Sequence, residues 1–156
     1  MDHDIQVHTQ DRDRLKAELR HLVDRFRGLG YERCDVFFGW AWRTGPDESD
    51  IAWKSVNVEL SDVAAEIERA EADGLGEFGG DDVCITFEGR ALEFEFCHHG
   101  GIHLFFSEPD DDTQHFWGRW KAEGLEPSQY EKAEGSSDWR RVVDSSGSQG
   151  DGAASR

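Results

Sequence analysis

The chain has 156 residues, a formal net charge of −17 and a mean hydropathy of −0.73, with ten Phe, six Trp and two Tyr. A charge this negative excludes nucleic acid and anionic lipid as natural ligands, because both are bound through cations. The many bulky aromatic residues exclude a disordered acidic chain, so we expect one α+β domain over residues 11–143, between a flexible N-terminus (1–10) and a disordered tail (144–156).

Neither export nor membrane insertion is indicated. Residues 1–14 contain no apolar run like that of a signal peptide, and no segment approaches the roughly 20 apolar residues of a membrane span. The cysteines Cys34, Cys84 and Cys97 are odd in number and have no CxxC spacing, which favours reduced thiols over a disulfide framework. We therefore expect a cytoplasmic protein without a cofactor.

The acidic residues are distributed unevenly. Residues 59–112 contain sixteen acidic and two basic side chains, whereas residues 11–33 contain seven basic and five acidic ones. Adaptation to salt is one explanation, but it would spread acids over every exposed face. A concentrated acidic region favours a surface that docks a basic protein.

The first predicted element is a helix over residues 11–27. Its apolar residues form one stripe: Leu15, Leu19, Leu22, Val23 and Phe26. The dipeptide Gly-Leu follows this helix at 28–29 and recurs at 74–75 and 124–125. The second Gly-Leu follows a predicted helix over residues 62–73, which Ser61 caps. The third follows a predicted helix that begins after Ser107. Glycine adopts the left-handed conformation of a helix end at little cost, so each dipeptide predicts such an end.

Two strands are predicted between the first and second helices. Val36, Phe38, Trp40 and Trp42 alternate with their neighbours, as in a central strand. Residues 44–50 have the composition of a turn, and residues 51–58 are the predicted hairpin partner.

Residues 82–107 predict a three-stranded meander whose register follows from parity. Apolar residues alternate on each strand, and all of them face one side only if the first loop has an even and the second an odd number of residues. Gly89-Arg90 fits as the first loop, and His99-Gly100-Gly101 fits as the second. In this register Cys97 faces His103.

These elements predict an antiparallel sheet of about five strands, a hairpin plus the meander, with three helices in the order α-β-β-α-β-β-β-α. Trp139, Val142 and Val143 are candidates for a last short element docked on the domain.

Candidate chemistry is sparse. Cys97, His99 and His103 lie around one hairpin and are the best metal candidates, but zinc takes four ligands, or three and water, so we predict no metal site. Glu93 and Glu95, with Glu88 nearby, form a carboxylate cluster that is better suited to binding cations than to acid–base catalysis. We predict no catalytic residue.

In layout and charge, over roughly residues 10–125, the chain resembles the small acidic α+β immunity proteins with which bacteria neutralise their own toxins, many of them basic nucleases. The resemblance implies a non-enzymatic inhibitor that occludes a cationic surface of the toxin. Attraction between the opposite charges would steer the two proteins together. We expect its contact surface to be the polar side of the meander with the acids beside it and two aromatic anchors: Glu88, Glu93, Glu95, Phe105, Glu108, Asp110, Asp111, Asp112 and Trp117.

Two other functions are consistent with the sequence. The first is a small-molecule binding domain with a cavity between sheet and helices, lined by Trp40, Trp42 and Trp53. The second is a metal-dependent enzyme at the hairpin of residues 97–103.

Overall fold

An antiparallel sheet of eight strands organises the computed structural model, which describes residues 1–39, 42, 54–133, 135 and 137–142. Its strand order is β3-β2-β4-β5-β6-β1-β7-β8. The strands are β1 (His3–His8), β2 (Arg33–Phe38), β3 (Lys54–Glu59), β4 (Val83–Thr86), β5 (Leu92–Cys97), β6 (Gly101–Phe106), β7 (Ser128–Lys132) and β8 (Trp139–Val142). The helices are α1 (Arg12–Gly28), α2 (Val63–Ala72) and α3 (Asp111–Ala122), with a 3₁₀ turn at Leu60–Asp62.

The α+β class, the three helices and the antiparallel pairing agree with the sequence analysis, but the predicted number of strands was too low. Strand β1 forms where a flexible N-terminus was expected, and it pairs with both β6 and β7. Strands β7 and β8 extend the sheet beyond β1. Trp139 and Val142 do belong to a last short element, β8, whereas Val143 and the tail of residues 144–156 lie outside the described residues.

The helix ends follow local sequence. Asp11 and Asp110 cap α1 and α3 with their carboxylates, and Thr113 completes a capping box at α3. Gly74 and Gly124 are left-handed, as predicted, with φ of 71° and 77°. The prediction at Gly28 was wrong by two residues, because Gly30 takes this role with φ of 91°.

Tyr31 explains the shift at the end of α1. Its N–H donates to the Phe26 carbonyl at 3.0 Å and its ring packs edge-on against the Phe26 ring, whereas Leu29 stays exposed. The left-handed turn at Gly30 therefore packs a partly buried aromatic ring against the core. The predicted cap of α2 was also wrong, since the 3₁₀ turn places Asp62, without a side-chain hydrogen bond, at that position instead of Ser61.

The register of the meander was predicted correctly for one strand pair and not for the other. Val83 pairs with Phe96 and Ile85 with Phe94, which is the register of the Gly89-Arg90 loop. Between β5 and β6 the three-residue turn is 98–100, so Cys97 pairs with Gly101 and not with His103. The shift by two residues keeps every side chain on its predicted face, and Gly100 is the left-handed residue with φ of 72°.

The core lies between the helices and one face of the sheet. Phe26 of α1 stacks on Phe87 with ring centroids 3.8 Å apart, and Phe116 of α3 packs edge-on against Phe94 at 4.7 Å. Within the described residues no helix is both long and apolar enough to cross a membrane.

Candidate functional site

The other face of the sheet has no described helix packed on it, and we call it the open face. Strand alternation places mostly polar side chains there. They include Asp4, Gln6, Asp35, Phe37, Asn57, Cys84, Thr86, Glu93, Glu95, Cys97, His103 and Phe105. The same face also carries His8, Arg33, Ser55, Glu59, Ser128, Tyr130, Lys132, Trp139 and Arg141.

Two carboxylates occupy the middle of the open face. Glu95 pairs with Cys84 on one neighbouring strand and with His103 on the other, and Glu93 pairs with Thr86 and Phe105. Residues two apart on a strand are only about 7 Å apart and point the same way. Glu93 and Glu95 therefore present adjacent negative charges.

The surroundings of these two glutamates oppose their ionisation. Burial raises the pKa of both Glu93 and Glu95. At Glu95 the neighbouring acids Asp82, Glu93 and Asp4 raise the pKa further, and His103 counteracts them. At Glu93 the N-terminal amino group and a hydrogen bond with Cys84 partly offset the effect of burial. Like charges held together in this way are stabilised by an added cation.

A buried acid–imidazole pair lies beside the glutamates. Asp4 is 2% exposed, and its Oδ2 lies 3.1 Å from Nδ1 of His103 and accepts a hydrogen bond from Nε2 of Gln6 at 2.6 Å. Burial lowers the pKa of His103, but hydrogen bonds and attraction to Asp4 and Cys97 outweigh it and raise the pKa to about 10. His103 is therefore an imidazolium at neutral pH.

Cys97 completes this polar cluster at the end of β5. The residue is 5% exposed and lies diagonally across from His103, which pairs with Glu95. Burial raises the pKa of the Cys97 thiol, but hydrogen bonds from His103 and from the backbone N–H groups of His99 and Gly101 outweigh it, so the pKa lies below its ordinary value.

The helix layer differs because its acids are paired with arginines. Arg119 and the Trp120 indole donate to the carboxylate of Glu18, which is 2% exposed. Arg12 of α1 pairs with Glu71, and Arg14 with Glu123. Two arginines of the first helix, Arg12 and Arg14, thus neutralise acids of the helix layer.

The predicted partner residues occupy three places. Glu93, Glu95 and Phe105 lie on the open face. Glu88 lies in the turn after β4, and Arg90, two residues later, pairs with Asp110 and Asp112 at the start of α3. Glu108 and Asp111 lie beside these aspartates in the sequence. Trp117 lies on α3 in the helix layer, with the Lys121 ammonium 4.7 Å from its ring, so it does not share a surface with Phe105.

Asp112 has an internal role. It is 4% exposed, and its carboxylate accepts hydrogen bonds from Arg25 and from Arg90. Asp110 also pairs with Arg90 and caps α3. Of the three consecutive aspartates, Asp111 is the exposed one.

The alternative sites are only partly described. Trp42 is 1% exposed and packs edge-on against Phe38, while Trp40 and Trp53 lie outside the described residues. Around the 97–103 hairpin, His99 is exposed, and its ring is tilted by 50° against that of His98 with the centroids 3.9 Å apart. In the described part of the chain, no three His, Cys, Asp or Glu side chains are arranged to hold a metal ion.

Sequence reasoning missed Asp4 and the exposed His8 because it missed β1. The alternation of Ile5 and Val7 with polar residues was the available signal, but only two apolar residues in a short segment are weak evidence for a strand.

Comparison of the chain with protein-family models, with curated proteins and with solved structures finds no match.

Proposed function

We propose that this chain is a non-enzymatic, acidic protein-binding domain, an immunity-type inhibitor that neutralises a basic partner such as a toxin. The observation that supports the proposal best is the pair of adjacent carboxylates of Glu93 and Glu95 on the open face, where burial raises the pKa of both groups and so disfavours their charged form.

These carboxylates suit a cationic ligand because the free protein already bears the free-energy cost of burying two neighbouring negative charges. Ionised Glu95 is repelled by Asp82, Glu93 and Asp4. An incoming Arg or Lys from a partner relieves this repulsion and replaces the lost hydration with charge-assisted hydrogen bonds. The charges of Glu93 and Glu95 therefore favour binding of a cationic partner, although they do not favour folding.

The pairing of acids in the helix layer supports the same orientation of the partner. Glu18, Glu71 and Asp112 each have an arginine of the same chain as counter-ion. A basic protein that approaches the open face meets Glu93 and Glu95, whose surroundings disfavour a negative charge, and complementary fields raise the association rate and set the orientation.

Exposed residues at the end of the sheet extend the proposed surface. Glu88, Glu108 and Asp111 are exposed, and the turn that contains Glu88 is joined to the start of α3 through Arg90. Phe105, which packs against the rings of His103 and Trp139, supplies apolar contact area on the open face.

The test compares two variants of equal net charge. Glu93→Gln with Glu95→Gln neutralises the open face, and Asp24→Asn with Glu68→Gln removes two exposed charges from the helix layer. Basic proteins captured from the source cell by wild type are purified, and their affinity for each variant is measured by titration calorimetry at low and moderate salt.

We expect wild-type affinity to fall steeply with salt, the open-face variant to bind at least tenfold more weakly, and the helix-layer variant to bind nearly as wild type. An affinity that does not change with salt concentration, or an equal loss of affinity in both variants, would contradict the proposal. Since Gln preserves the shape of Glu, circular dichroism identifies any variant that loses affinity only through unfolding.

A further inference from the structure

The three cysteines of this chain lie in very different surroundings. Cys34 is 2% exposed in the apolar core, and burial raises the pKa of its thiol to about 12. Cys84 is half-buried on the open face, where burial and the nearby Glu95, Glu93 and Asp82 raise the thiol pKa far above its ordinary value. Cys97 is the one cysteine next to an imidazolium.

A diagonal across three neighbouring strands links Cys97 to His103 and His103 to Asp4. Cys97 ends β5, His103 lies on β6 and Asp4 lies on β1, all on the open face. The Asp4 carboxylate is 3.1 Å from Nδ1 of His103. An acid at this nitrogen holds the ring in one orientation and maintains its positive charge, as it does for other histidines that activate a nucleophile.

The hairpin after β5 surrounds the sulfur with donors. The backbone N–H groups of His99 and Gly101 face the Cys97 sulfur and lower the pKa of its thiol. A Cβ atom at residue 101 would lie 3.1 Å from the Cys97 sulfur and 3.1 Å from Nδ1 of His8. The absence of a side chain at Gly101 therefore lets the sulfur lie against the backbone of the hairpin.

Titratable groups face Cys97 from several neighbouring elements. His103, His8 and Asp4 lie on β6 and β1, and Asp82 lies before β4, with its Oδ1 bonded to the backbone N–H of His98. Glu95 lies on β5 itself. The acids oppose a negative sulfur, and the imidazolium with the two backbone donors favours one.

We propose that Cys97 is a reactive thiol, oxidised by small hydroperoxides, with His103 as its charge partner and Asp4 as the residue that positions His103. This inference does not depend on the proposed binding function. The 5% exposure of Cys97 restricts the reagent to a small molecule, since a protein or a large substrate does not reach a sulfur this far inside the surface.

The chemistry balances with one hydroperoxide per thiol. The thiolate sulfur attacks the outer peroxide oxygen, an S–O bond forms and the O–O bond breaks. Cysteine loses two electrons and becomes a sulfenic acid, which keeps the peroxide proton. The alkoxide that leaves takes the proton of the His103 imidazolium and departs as an alcohol, or as water when the oxidant is hydrogen peroxide.

The test measures all three thiols in the same wild-type protein. Folded protein is treated with hydrogen peroxide and a sulfenic-acid trap, or with iodoacetamide, and modification of each cysteine is followed by mass spectrometry between pH 5 and 9. We expect Cys97 to react at least tenfold faster than Cys34 and Cys84 at pH 7, because an ordinary thiol is only a few per cent ionised there.

Exposure and thiolate character predict opposite orders, which makes the comparison decisive. If access alone controlled the rate, the half-buried Cys84 would react first and the buried Cys97 and Cys34 would be similar. That order in wild-type protein would overturn the proposal without any variant.

Variants test the roles of the neighbours. We expect His103→Gln, and to a smaller degree Asp4→Asn, to move the midpoint of the pH–rate profile of Cys97 upward. His99→Gln, which changes an exposed ring of the same hairpin and keeps its backbone N–H, is expected to leave the midpoint unchanged. An unchanged profile in folded His103→Gln would refute the charge-partner role.

Discussion

Replacing Asp112 distinguishes an internal ion pair from a docking charge. Oδ1 of Asp112 accepts hydrogen bonds from Nε and Nη2 of Arg25 at 2.9 and 2.8 Å, and Oδ2 accepts one from Nη2 of Arg90 at 2.8 Å. Asp112→Asn keeps the size of the side chain but removes its charge and places an NH₂ group in the position of one acceptor oxygen.

The expected loss of stability follows from these contacts. Removing one partner of a buried ion pair costs about 3–5 kcal/mol when the remaining charge stays buried. Here the arginines are 27% and 22% exposed and recover part of their hydration. We therefore expect the free energy of unfolding to fall by about 2–3 kcal/mol, close to the net value of one or two charge-assisted hydrogen bonds.

Asp111→Asn is the matched control. Asp111 precedes Asp112 in the first turn of α3 and is exposed, so it shares the favourable interaction with the helix dipole but not the arginine contacts. That interaction is worth about 0.3–1 kcal/mol, which sets the expected loss in the control. The difference between the two variants isolates the ion pair.

The measurement is urea unfolding followed by tryptophan fluorescence at neutral pH. Unchanged slopes with a lower midpoint would indicate a loss of native-state stability. If the two variants differed by less than about 0.5 kcal/mol, the buried pair would contribute no more than surface pairs do, and the internal role of Asp112 would be refuted.

Three further predictions concern stability. Gly118→Ala in α3 raises the free energy of unfolding by about 0.5–1 kcal/mol, since nothing lies within 4 Å of the added Cβ and alanine favours a helix interior; urea midpoints that stay or fall would contradict this. Gly101→Ala lowers the free energy of unfolding by about 1–3 kcal/mol, since the added Cβ would lie too close to the Cys97 sulfur. An unchanged urea midpoint would contradict this and would show that the hairpin accommodates the Cβ without strain. Burial lowers the pKa of both His21 and His115, whose rings stack, so at these two side chains the folded protein binds fewer protons than the unfolded chain, and their contribution to stability falls as pH drops below 6.5. Relative to wild type, His115→Gln should therefore lose less stability between pH 7.5 and 5.5, and an identical pH dependence in the two proteins would rule this pair out.

The meander shows how far sequence parity reaches. Alternation of apolar residues required an even loop and then an odd one, and both hold in the structure. Parity does not distinguish two registers that differ by two residues, because both put the same side chains on the same face. The register at Cys97 depends instead on Gly100, whose left-handed backbone closes the turn and whose carbonyl accepts the Thr9 N–H next to β1.

The cluster of Cys97, His103 and Asp4 could not be predicted from the sequence for a related reason. His103 was recognised as part of the hairpin, but Asp4 lies in a segment with two apolar residues that becomes a strand only between β6 and β7. Its partners on β6 are about a hundred positions away in the chain. No local pattern reports such a pairing.

The sequence by itself determined the α+β class, the three helices, two of the three glycine helix ends and the inward and outward faces of the meander. These depend on contacts between near neighbours and on side-chain periodicity. Only the tertiary structure decided which acids are neutralised by arginines, that Asp112 is buried while Asp111 is free for solvent, and that Cys97, His103 and Asp4 meet. Charge pairing between distant elements depends on how those elements pack, and a count of residues along the chain does not contain that information.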